Sequence, residues 1–293
     1  MRIPASSSTF RPWIADDFVG QARRQLGAAG GTPITWMFLE PEAAAVATTL
    51  FRRNGIASTS LSFLEEGSLP VPVHFFLGAY WASRTEPVED CARRLARCLH
   101  RLTEVDPLLS TWLKVGRNRA ESLRLRVASS EESLRKLLQQ SYDEKFPGLG
   151  FRISLWDGRE SSGVAMNVTC GSDAAVSPNV VLINLPLPGG EDLRLYQPET
   201  VRALFRAVVD EWDPDWAVFA SNTMQDMQAD RRPYVGWLTY LRTERALISK
   251  AQAGIEIASL GNGVLLTAGP NPLQVSDNDI KAAEAQLSTI ELS

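Results

Sequence analysis

Two periods of hydrophobic spacing divide the chain into helices and strands. The clearest helical stretch places Val88, Cys91, Ala92, Leu95, Cys98, Leu99 and Leu102 at i, i+3, i+4, i+7 intervals, so they line one face. Glu89, Asp90, Arg93, Arg94, Arg97 and Arg101 fall on the other face. There the spacing predicts Glu89–Arg93 and Asp90–Arg94 pairs and a solvated arginine surface. Pro107 forbids a long continuation. A second amphipathic helix is predicted over Glu199 to Trp212, through Val201, Leu204, Phe205, Val208 and Trp212. Ser129-x-x-Glu132 reads as a capping box opening a helix through Leu134, Leu137 and Leu138. Ser276-x-x-Asp279 reads as the cap of a last helix, with Ile280, Leu287 and Ile290 on its apolar side.

Strand signals lie between these helices. His74 to Trp81 is a short run of large apolar residues, read as a buried strand. Phe151, Ile153 and Leu155 alternate with polar residues, as do Val164, Met166, Val168 and Cys170, which predicts an antiparallel hairpin. Val180 to Leu185 lacks alternation and reads as a central strand buried on both faces. Trp216 to Ala220 and Val235 to Leu241 are further strands, and Ile255 to Thr267 turns at Gly261-Asn262-Gly263 as a hairpin. Hairpins interspersed with helices, without strict βαβ alternation, predict an α+β fold with a mixed, largely antiparallel sheet.

Upstream, the pattern is weaker. Trp13 to Leu26 and Pro41 to Arg52 can be drawn as helices, with Asn54-Gly55 as a turn, and Pro70 and Pro72 separate this part from the rest of the chain. The expected organisation is a helical or irregular N-terminal segment, 1–70, without an assigned role, and then an α+β domain, 71–293.

Composition narrows the functional classes. The chain has 293 residues, 44% of them hydrophobic, enough for a substantial core. Its net charge of −4 argues against nucleic acid as a ligand of the bulk surface. No run approaches a membrane span, and the start lacks the apolar stretch of a signal peptide. Three cysteines, Cys91, Cys98 and Cys170, make a disulfide framework improbable and fit a reducing, cytoplasmic setting. Cys91 and Cys98 lie two helical turns apart on the buried face, as core residues would, and lack zinc-ligand spacing.

Candidate chemistry is sparse. His74 and His100 have no sequence-local partner, and Asp143, Glu144 and Lys145 read as a solvated helix end. No phosphate-binding or nucleophile-elbow motif occurs. No catalytic, cofactor-binding or metal residue is therefore assigned, and the chain reads as a non-enzyme. The most distinctive polar feature is the acidic run Asp210, Glu211, Asp213, Asp215, interleaved with Trp212 and Trp216 and continued by Asp226 and Asp230. One reading is a polar helix end with both tryptophans turned inward. The other is an acidic, aromatic surface that docks a basic partner.

Several motifs resemble the bacterial immunity protein 52 family. They are Gly78-Ala79-Tyr80-Trp81-x-x-Arg84, Cys91-Ala92-x-x-Leu95, Leu99-x-x-Leu102 and Trp112, then Gly150-Phe151 through Trp156, then Val235-Gly236-Trp237-Leu238-Thr239-Tyr240-Leu241. The resemblance covers about Phe75 to Leu287. It implies a non-enzymatic antidote, without cofactor, that binds a restriction-endonuclease-like nuclease toxin, of the kind delivered by type VI secretion. Such a protein protects the producing cell and its kin in the cytoplasm. For Tyr80, Trp81, Arg84, Gly236 and Trp237 the structural role comes first, with Arg84 pairing an acid near the helix start. An effector-loading chaperone or secretion adaptor is the alternative, then an enzyme with an acidic site assembled from distant residues.

Overall fold

The computed structural model describes residues 19, 23, 34–38, 47, 49–56, 59–63, 73–159, 162–174, 178–228, 233–242 and 254–287. The chain divides into two compact units, Met1–Val71 and Pro72–Ser293. In the first, strands β1 (Ile34–Phe38) and β2 (Thr59–Phe63) pair in parallel, a pairing the hydrophobic pattern did not predict. Residues 49–53 are helical and end at Gly55, whose φ of 67° is the left-handed conformation that glycine adopts without strain. The expected helix over Trp13 to Leu26 lies almost wholly outside the described residues.

The second unit is built on a nine-stranded antiparallel sheet. Its strands are β3 (Phe75–Trp81), β4 (Leu113–Lys114), β5 (Phe151–Trp156), β6 (Ala165–Cys170), β7 (Asn179–Asn184), β8 (Trp216–Ser221), β9 (Leu238–Arg242), β10 (Ile255–Leu260) and β11 (Gly263–Ala268). Their order is β10-β11-β9-β8-β3-β7-β6-β5-β4, with β3 at the centre. The helices are α1 (Val88–Val105), α2 (Arg119–Ser122), α3 (Glu131–Gln139), α4 (Pro198–Trp212), α5 (Asn222–Asp226) and α6 (Asp277–Leu287). The architecture is α+β.

Alternation along β3 decides how the layers stack. Leu77 and Ala79 point to the face covered by α1 and α4, where Leu77 meets Ile183, Phe219, Leu102 and Leu204 and Ala79 lies between Val181 and Ala217 in a dry core. Every apolar position predicted for α1 is buried there, together with Ala96. α3 packs beside α1, and α6 covers β10 and β11. Arg202 of α4 reaches Thr267 and Glu256 on one face of that hairpin, so Ile280 and Ala283 of α6 pack on the other.

Three local expectations are corrected. β7 alternates between buried and partly buried positions, so it is central within the sheet but fully buried on one face only. The cap of α3 is Ser130, which accepts from the Ser133 amide at 3.4 Å, one residue later than the capping-box pattern suggested. On α1, Arg93 pairs with Asp90 at i,i+3, while Arg94 turns away from Asp90 to Glu86.

Gly236 shows how tightly the sheet closes. A Cβ there would collide with the Phe219 carbonyl oxygen, a backbone atom unable to move aside. Gly236→Ala is expected to destabilise the fold by about 2–4 kcal/mol. Gly189→Ala, with nothing within 4 Å of the added methyl, should change stability by less than ~1 kcal/mol. Urea unfolding of the two variants checks the contrast.

Candidate functional site

The polar residues singled out in the sequence converge where β3 ends and α4 stops. After Trp81 the chain turns, and Arg84 is drawn back over the Trp81 ring at 5.0 Å while Trp81 stacks on Trp212 at 5.4 Å. The last turn of a helix leaves carbonyls without intrahelical donors, at the negative end of its dipole. Arg84 supplies those donors, giving Nη2 to the Trp212 carbonyl at 2.8 Å and Nη1 to the Asp213 carbonyl at 3.3 Å. Its Nε donates to Glu86 at 3.2 Å, just ahead of α1. The other Glu86 oxygen accepts from Arg94 at 3.0 Å, and Arg94 also donates to the Glu211 carbonyl at 2.6 Å.

Glu211 is the buried member of the network, its side chain only 6% exposed. Arg97 and Arg101 hold its two oxygens at 2.7 and 3.2 Å, and Arg101 also reaches Asp210 at 3.0 Å. Asp213 takes a left-handed φ of 45° as α4 ends, and Arg242 lies 3.2 Å from Asp213 and 3.7 Å from Asp215. Asp215 also accepts the Ala82 amide at 2.8 Å. Five carboxylates (Glu86, Asp210, Glu211, Asp213 and Asp215) thus meet five guanidiniums (Arg84, Arg94, Arg97, Arg101 and Arg242).

This arrangement revises two expectations. The arginine face of α1 is not simply solvated: it is half of an internal charge network. The acidic run supplies the other half, and Glu211 has no free oxygen to offer a partner. Trp212 is fully buried and Trp216 partly so. Asp226 is exposed at the end of α5, and Asp230 lies outside the described residues.

Tyr80 occupies the opposite face of β3. It stacks on Trp216 at 4.5 Å, Trp216 meets Tyr234 edge-on at 4.9 Å, and the two tyrosine hydroxyls are 3.3 Å apart. Gly78 is the floor beneath the ring, since a Cβ there would sit 2.5 Å from the Tyr80 hydroxyl. Trp237 is buried under Arg202, whose guanidinium lies 5.2 Å from the ring centre. The motif residues therefore build two aromatic layers, one on each side of the sheet.

Reactive side chains are quiet. Burial pushes the Cys98 thiol up to about 12, and a hydrogen bond with Cys91, with burial second, raises Cys170 well above the ordinary thiol range. All three cysteines are free and buried. His74 is exposed, His100 pairs with Glu104 at 3.3 Å, and Asp143, Glu144 and Lys145 face solvent. Among the described residues no group of three His, Cys, Asp or Glu is placed to hold a metal ion, and no helix is long and apolar enough to cross a membrane.

A family model described as Immunity protein 52 matches residues 74–286. The chain belongs to the Immunity protein 52 family. No curated protein matches it. Among solved structures, the Pseudomonas aeruginosa T6SS protein PA0821 is similar over 75% of this chain and 76% of its own, at 14% identity and a TM-score of 0.48.

Two outcomes are expected from this geometry. Arg84→Lys keeps the charge but loses the planar fork, so it should lower stability by about 1–3 kcal/mol in urea unfolding. Lysine at the exposed Arg206 should change it by less than ~0.5 kcal/mol. All three thiols are buried, so they should resist a disulfide reagent at neutral pH until denaturant is added. An unfolded thiol releases its proton near 9.0, whereas folded Cys98 retains it to about 12, so stability should fall as pH climbs through that window. Thermal melts across alkaline pH, with Cys98→Ala as comparison, check the sign.

Proposed function

We propose that this chain is the antidote to a secreted nuclease toxin, binding it in the cytoplasm of the producing cell and its kin, in the setting of type VI secretion. The observation that carries the proposal is the family match, which spans nearly all of the nine-stranded unit. The chemistry of the described residues is in keeping with it: the carboxylates at the end of α4 are paired with arginines, and the three cysteines are buried. The role is that of a binding protein, with neutralisation achieved by occupying toxin surface rather than by turnover.

Of the acidic positions read from the sequence, Asp210, Asp215 and Asp226 are exposed. Arg101 already holds Asp210 at 3.0 Å, whereas Arg242 stands 3.7 Å from Asp215. We therefore assign any contact with a basic toxin group to Asp215 and Asp226 rather than to Glu211. Co-expression tests the function directly. Cells producing its cognate toxin should regain growth when this chain is present, and the two proteins should co-purify. Absence of both effects would exclude the antidote role.

A further inference from the structure

Most of the arginines around α1 and α4 face a carboxylate. The segment that includes α2, at the β4 edge of the sheet, is different. Arg117, Arg119, Arg124 and Arg126 are exposed, and among the described residues none of their side chains makes an ion pair or hydrogen bond. Interleaved with them are three exposed large apolar residues: Val115 at 52%, Leu123 at 45% and Leu125 at 36%.

This is a built surface, not a loose loop. Its ends are tied as a ribbon, with the Lys114 amide donating to the Leu125 carbonyl and the Val127 amide to the Trp112 carbonyl, both at 2.9 Å. Inside, the Asn118 side chain accepts the Glu121 amide at 2.9 Å, Glu121 accepts the Arg117 amide at 2.9 Å, and the Ser122 hydroxyl accepts the Gly116 amide at 2.8 Å. Ordinary solvent loops turn polar groups outward. Here Asn118, Glu121 and Ser122 bond to backbone within the segment, and the cations and aliphatic groups are presented to solvent. Alongside lies a groove of about 430 Å3 between α3 and β5, with Leu137 and Ile153 in its wall and Lys114 and Arg152 among its lining.

We infer that this edge is a second surface through which the chain engages its toxin, separate from any contact at Asp215 and Asp226, and that it meets a carboxylate-rich and partly apolar patch on that protein. The inference rests on the antidote reading above and adds the surface and the chemistry it recognises. Guanidiniums without partners are matched by carboxylates, in which each fork satisfies two oxygens. Exposed aliphatic groups between them favour a protein over a nucleic acid, because the segment has no aromatic ring on which a base could stack. With only four residues, α2 is too short to offer the continuous apolar stripe of a membrane-surface helix. The groove gives one partner side chain a place to anchor.

The test uses the full chain, the inactivated domain of the toxin that it neutralises in the co-expression assay, the triple variant Arg117→Glu/Arg119→Glu/Arg124→Glu, and Leu123→Ser. Both variants change exposed positions, so thermal unfolding should stay close to wild type. Toxin affinity should drop about tenfold or more in the triple variant, mainly through association rate, and its salt dependence should flatten. Leu123→Ser should speed dissociation. Wild-type affinity in both folded variants would overturn the inference while leaving the antidote role intact. Failure of the wild-type chain to bind the toxin would remove both. A fluorescent duplex oligonucleotide or phosphatidylserine vesicles bound by wild type and released by the triple variant would reassign the edge to nucleic acid or lipid and overturn it as well.

Discussion

The end of α4 is the constraint on which the rest of the unit depends. A buried carboxylate, Glu211, adjoins helix-terminal carbonyls that have no intrahelical donors. Leaving any of these groups unpaired in the interior would cost several times what a surface ion pair contributes. Four arginines from two other elements resolve it: Arg84 from the turn after β3, and Arg94, Arg97 and Arg101 from α1. One polar problem therefore ties α1 to the end of α4. It also fixes the exit of β3 and places Trp81 against Trp212.

From that node the two faces of the sheet take different roles. The face under α1 and α4 is dry, with Leu77, Ile183 and Phe219 at its centre. The other face is covered by α6 over β10 and β11, and toward β5–β7 it carries Arg152, Ser154 and Asn167 in solvent. Tyr80, Trp216 and Tyr234 lie between these two regions of the second face. Gly78 is needed there because the Tyr80 ring lies across it.

Much of this was legible in the chain because burial imposes periodicity. The stripes of α1 and α4, the hairpin of β5 and β6, and the Ser276 cap of α6 are all local patterns, and the structure repeats them to within a few residues. What the spacing could not carry was long-range pairing. Arg97 and Glu211 are 114 positions apart, so a row of arginines looked solvated and a row of acids looked free. β1 and β2 were missed for a related reason. A parallel pair is held by a partner remote in sequence; ITWMF does not alternate, and the alternation of Leu61 and Phe63 with Ser60 and Ser62 is too short to announce a strand by itself.

The same pairing changes what charge says about partners. A net charge of −4 suggests an acidic protein that would seek a basic ligand. Once Glu86, Asp210, Glu211, Asp213 and Asp215 are matched to arginines, that end of the molecule is close to neutral. Cations left over gather at the β4 edge, beside exposed leucines. A partner responds to the local field within about a Debye length, not to the sum over the chain. For an antidote, which must discriminate one toxin from others, a rigid patch with unpaired forks gives more specificity than diffuse acidity does. Each guanidinium left unmatched by a wrong partner is a desolvated charge, and that penalty is what separates the right surface from the rest.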